Sequence, residues 1–131
     1  MLKTITRPQL LTLAKITFGA CIVIMEAKNR DYAGGGSDPL ANFRASETLG
    51  VPPEIGLLMR CMDKFKRIQA FVNTGTLSVK NEPVEDAIRD VINYMILLLA
   101  MVEERKFAAA KPVKEARNGK KVPPGSTKSK R

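Results

Sequence analysis

The sequence predicts an all-α protein: three long helices and one short one, in a bundle completed by oligomerisation, followed by a disordered basic tail. Two observations carry this prediction. Apolar residues recur every three or four positions in three separate segments, the spacing of a helix face. Each of these segments opens at a proline or a polar capping residue, and the stretches between them hold five of the nine glycines. The connection "NTGTLSVKN" (73–81) has weak strand character at best.

The first helix is expected over about 8–30. Thr6 is placed to cap it, and Pro8 falls in the first turn, where a missing N–H does no harm. Leu10, Leu13, Ala14, Thr17, Cys21 and Ile24 repeat at helical spacing. "AGGGS" (33–37) follows as a flexible turn or lid-like loop. It lacks a Walker lysine and the strand-then-helix flanks of a phosphate-binding loop. Ser37 or Asp38 as cap, Pro39 and the terminating Gly50 describe a short helix over 39–49. "VPPEIG" opens the third helix, 53–72, with an apolar face of Leu58, Cys61, Met62, Phe65, Ile68 and Val72. Arg60, Lys64 and Arg67 share another face, with Asp63 beside them. Asn81 is placed to cap the last helix, 83–105, whose first turn takes Pro83. Residues 106–131 carry almost no large apolar side chain and cannot offset their ordering entropy, so a disordered tail is expected after a helical domain at 1–105.

Charge separates the same two parts. From Arg105 onward there are 10 basic residues and one acid, while 12 bases and 12 acids balance in the rest of the chain. The net charge of +9 therefore describes the tail, which is suited to weak, sequence-independent contact with nucleic acid. The two cysteines, Cys21 and Cys61, lie in apolar helical patterns without CxxC spacing and read as buried thiols of a cytoplasmic protein. Histidine is absent, which removes imidazole acid–base chemistry and the usual zinc sites. The apolar run at 16–25 is short for a bilayer, and Lys15 interrupts its extension, so no membrane association is expected.

One stripe stands out. Glu82, Asp86, Asp90 and Asn93 step by four, four and three along the last helix and share a face. Carboxylates one turn apart repel by about 0.2–0.5 kcal/mol on an exposed helix, and enclosure raises that cost unless a cation compensates. The flanking Val84, Ala87, Ile88, Val91, Ile92, Met95 and Ile96 imply enclosure. The cation is either the basic face of the third helix, as an interhelical ion-pair network, or a divalent ion with Glu26 as a further ligand. Tyr94 is read as a core tyrosine on a different face from Asp90. Tyr32 either stacks on a base or covers a helix end. The methionines read as core filler.

Three segments resemble a known family: "EAKNRDY" (26–32), "MRCMDKFKRI" (59–68) and "VKNEPVEDAIRDVINYMILLL" (79–99). Together they look like the phage and bacterial nucleotide modification associated domain, type 1, over about residues 20–104. More distantly, the last helix is similar to the ExxxD helix of the all-α nucleoside triphosphate pyrophosphohydrolases, the MazG-type enzymes and dimeric dUTPases. The resemblance implies a phage-type nucleotide-handling protein, with Glu26, Asp86 and Asp90 holding Mg2+ for a metal-activated water. It implies phosphate contacts from Lys64, Arg67 and Lys80, and base or sugar contacts from Asn29, Tyr32 and Asn93. Lys28, Asp31 and Arg60 belong to the same substrate-binding set. Where those enzymes carry an EExxE cluster, "VIMEAKN" offers Glu26 alone. Either Asp31, Glu82 or a partner subunit completes the ligands, or the protein binds a nucleotide without hydrolysing it. A third possibility is an interaction protein that works through its basic tail.

Overall fold

A computed structural model describes residues 3–32, 36–77 and 82–110, with Tyr32 in backbone alone. The described residues form four helices and no strand: α1 (Arg7–Tyr32), α2 (Ala41–Arg44), α3 (Pro53–Thr74) and α4 (Val84–Ala110). The all-α prediction holds, as does the count of three long helices and a short one.

Local chemistry sets the ends. Thr6 and Gln9 form a reciprocal capping box: Gln9 Oε1 accepts from the Thr6 N–H at 2.9 Å, and Thr6 Oγ1 accepts from the Gln9 N–H at 3.4 Å. The expected helix at 39–49 divides into α2 and a 3₁₀ segment, Ala45–Leu49. Its start is displaced because Asp38 builds a turn of its own. Its carboxylate accepts from the Leu40 N–H at 2.9 Å and from Arg44 Nε at 2.7 Å. The Ser46 hydroxyl then hydrogen-bonds the carbonyls of Phe43 and Val51, each at 2.9 Å, which favours the tighter winding over α-helix. Gly50 closes this segment at φ 71°. A Cβ there would meet open space, so Gly50→Ala should cost only backbone strain, about 1 kcal/mol, read as a lower urea midpoint with unchanged slope. α3 runs on to Thr74, and α4 continues to Ala110 rather than stopping near 105. Alanines at 108–110 favour helix, and Lys106 pairs with Glu103 one turn back. The helix therefore takes in the first residues assigned to the tail. Asn81 and residues 111–131 lie outside the described residues.

The core is Leu40, Phe43, Leu57 and Met101, with Tyr94, Leu97 and Leu98 packed against it. It sits where α2 and α3 meet α4. The face that α3 turns to α4 is Leu57, Cys61, Lys64 and Ile68. Leu58, Met62, Phe65 and Val72, expected on that face, are exposed. The two sets lie about a quarter turn apart on a helix that is apolar over both. Cys21 and Cys61 are buried and free, as expected. Met101 is core, but Met59, Met62 and Met95 are exposed.

α1 packs against α4 through Cys21, whose thiol lies 3.8 Å from the Arg89 carbonyl. Leu10 and Leu13, expected to be core, are exposed. Over 7–31 this helix is long and apolar enough to cross a membrane by length and composition, and 6% of its most apolar stretch is buried inside the chain. The apolar run after Lys15 is short for a bilayer, but one lysine does not disqualify the longer helix.

Candidate functional site

α4 presents Asp90, Asn93, Tyr94 and Leu97 within two turns, on the side facing both α1 and the α2 segment. α1 crosses there with Met25, Lys28 and Asn29. α3 adds Arg60, and the α2 segment adds Pro39, Asn42 and Phe43. Together they enclose a cleft of about 70 Å3. Arg44 holds the α2 wall in place by bridging Asp38 and Glu104, both at 2.7 Å. The α2 segment is thereby tied to the far half of α4.

The acid of the cleft is Asp90. Its side chain is 16% exposed, and each carboxylate oxygen meets an ammonium group: Lys28 Nζ at 3.0 Å from α1 and Lys64 Nζ at 2.9 Å from α3. Burial pushes the Asp90 carboxyl up, but the hydrogen bonds from Lys64 and Lys28 outweigh it and hold it below the usual carboxylate range. The same contact with Asp90 raises the Lys64 ammonium, against its own partial burial.

Behind this clamp lies Asn93, 5% exposed, with its amide nitrogen and oxygen both buried and without a protein partner. A buried polar group left unpaired costs about 1–3 kcal/mol, and native proteins keep few of them. The aromatic wall is Phe43 and Tyr94, edge to face with centroids 6.4 Å apart. The Arg60 guanidinium stands 5.4 Å from the Phe43 ring centre and has no carboxylate partner among the described residues.

The cleft thus brings together Lys28, Asn29, Arg60, Asp90 and Asn93 from the expected set, with Lys64 reaching it through Asp90. It does not bring together the expected metal ligands. Asp86 is 59% exposed and bound to Arg89 of its own helix at 3.0 Å. Glu26 and Asp31 are exposed and do not line the cleft. Among the described residues no group of three or more carboxylate or thiol side chains is placed to hold a metal ion. The stripe separates because one turn along α4 carries Asp86 past the edge of the α3 contact, while Asp90 falls between two lysines. Arg67, expected on phosphate, pairs with Glu82. Lys80 and the Tyr32 side chain lie outside the described residues.

Tyr94 was assigned to the wrong face: it is four residues from Asp90 and shares its side of α4. That spacing alone reveals it. Pro39, Asn42 and Phe43 carry no such signal, because a tertiary contact, the Arg44 bridge, brings them in. No family model, curated protein or solved structure matches the chain. The site therefore rests on its own geometry.

Proposed function

We propose that this protein binds a nucleotide in the cleft between α1, α2 and α4, as a binding module without turnover. The observation that carries this reading is Asn93. It offers a donor and an acceptor side by side in a cleft lined by Lys28 and Arg60 against the single charge of Asp90, which Lys64 also holds from α3. An amide of this kind pairs with the adjacent donor and acceptor of a nucleobase edge. The surplus positive charge attracts phosphate, and Phe43 and Tyr94 supply aromatic contact for the base. The enclosed 70 Å3 equals roughly the share of two liquid waters, so a nucleotide enters as the long Lys28 and Arg60 side chains swing outward. Binding rather than hydrolysis fits the acids, since Glu26, Asp86 and Asp90 do not converge and both Asp90 oxygens are already engaged by lysines.

The test is equilibrium binding of a panel of nucleosides and their mono-, di- and triphosphates, with EDTA or with Mg2+, followed by recovery of the ligand. At least one phosphorylated nucleotide should bind, more tightly than its nucleoside, with affinity that falls as salt rises and that survives EDTA. The ligand should be recovered intact. Arg60→Ala should weaken it about tenfold. If no nucleotide binds at millimolar concentration, the reading is wrong. If the ligand is recovered cleaved, the protein is an enzyme and the part of the reading that excludes turnover fails.

A further inference from the structure

Among the described residues, 22 large apolar side chains are exposed and eight apolar residues are buried. A chain with a helical body of about a hundred residues normally encloses far more than that. The exposed residues are ordered. On α4, the exposed Ile88, Met95, Leu99 and Val102, with the half-buried Ile92 between the first two, step by four, three, four and three along the side turned away from the core. On α3, Ile55, Leu58, Met62 and Phe65 step by three, four and three, again off the core face. α1 carries the exposed Leu13, Ile16 and Val23, with the half-buried Ala20 among them, in the same alternation. This three–four spacing is the seam into which another helix packs its side chains.

We infer that these outer seams are the interface with a second copy of this chain, which completes the bundle. The spacing asks for helices as partners, and this chain supplies three helices with the matching pattern. Lipid is the other apolar environment that α1 would fit by composition. It does not fit the seams of α3 and α4. Asp63, Lys66 and Gln69 border the α3 seam, and Arg89, Glu103 and Lys106 lie on α4 beside its own, at a cost in hydrocarbon that a bundle in water avoids. The area suffices. About eight half-exposed side chains giving up roughly 90 Å2 each approach the ~800 Å2 per partner that a stable interface buries.

The inference does not depend on what the cleft binds. Light scattering and sedimentation of the full chain should give a dimer or a higher even assembly at micromolar concentration. The melting temperature should rise with protein concentration. Leu99→Glu and Ile16→Glu should each weaken the association on the order of 100-fold, because each places a charge in a seam. The milder Leu99→Gln, which leaves no charge, should shift the equilibrium the same way by a smaller factor and covers the case of a variant that fails to fold. A monomer at all concentrations with a constant melting temperature overturns the inference. So does a chain that stays monomeric in buffer and floats with phosphatidylglycerol–phosphatidylcholine vesicles, which would assign α1 to the membrane.

Discussion

Asn93→Leu is expected to give a protein that is more stable than the parent and no longer binds nucleotide. The stability gain has two sources. The substitution removes two buried amide atoms that have no protein partner, which otherwise cost about 1–3 kcal/mol, and leucine fills a similar volume between Tyr94 and Leu97. Leucine is also the better helix former, by a few tenths of a kcal/mol. At about 1 kcal/mol and upward, the melting temperature of a helical body of this size should rise by about 4 °C or more. The binding loss follows from the same atoms, because a leucine neither donates to nor accepts from a base edge. Buried polar groups kept at a cost in stability mark sites selected for something other than folding. Parallel thermal melts and binding titrations separate the outcomes. A variant that is less stable than the parent would show that the amide is satisfied in the folded protein and serves structure. Asn93→Asp is a useful companion: it keeps the shape, adds a charge in a site 5% exposed, and should lose both stability and binding.

Much of the fold was legible because helix periodicity, prolines and caps are local signals. Thr6 with Gln9, Asp38 with its turn, and Gly50 all act within a few residues of themselves. The site was legible in part for the same reason. The stripe through Asp90 and Asn93 is a property of one helix, and the basic face of α3 was a visible partner for it. The ion-pair alternative describes Asp90 correctly, through Lys64 as expected and Lys28 as an addition. What stayed hidden depends on how far each helix is enclosed. α1, α3 and α4 are apolar on more than one side, so a residue pattern identifies a face without saying which face is inside. Leu10, Leu13, Met62 and Phe65 were placed in the core for that reason and are exposed in the single chain. The α2 wall was hidden differently, since the Arg44 bridge to Glu104 spans residues 60 positions apart.

Asp90→Asn should destabilise the protein by about 2 kcal/mol near neutral pH, with the loss concentrated in α1. Lys28–Asp90 is the ion pair that joins α1 to α4 among the described residues, and Lys64–Asp90 joins α3 to the same point. Without the carboxylate, Lys28 turns back to water, but Lys64, 27% exposed, keeps a charge with no matching acid. Hydrogen bonds to charged groups contribute about 1.5–3 kcal/mol, and solvent screening of the half-exposed Lys28 keeps the loss in the lower part of that range. The pH dependence has a definite sign. Asp90 is held below its ordinary range, so its contribution is complete above about pH 4 and is lost as pH falls through the lowered value. Lys64 is held above its ordinary range, so the contribution persists below about pH 10 and is lost only as pH rises through the raised value. The difference between parent and variant should therefore be flat from about pH 5 to 9 and close on either side. Hydrogen exchange should show α1 amides less protected in the variant while those of α3 beside Leu57 and Cys61 change little. The same pair of proteins decides what Asp90 is for. With its two oxygens held by lysines, millimolar Mg2+ should leave the melting temperature of the parent unchanged. A rise on adding Mg2+ that disappears in Asp90→Asn would mean that the lysines yield to the ion, and Asp90 would return to the metal role its helix resembles.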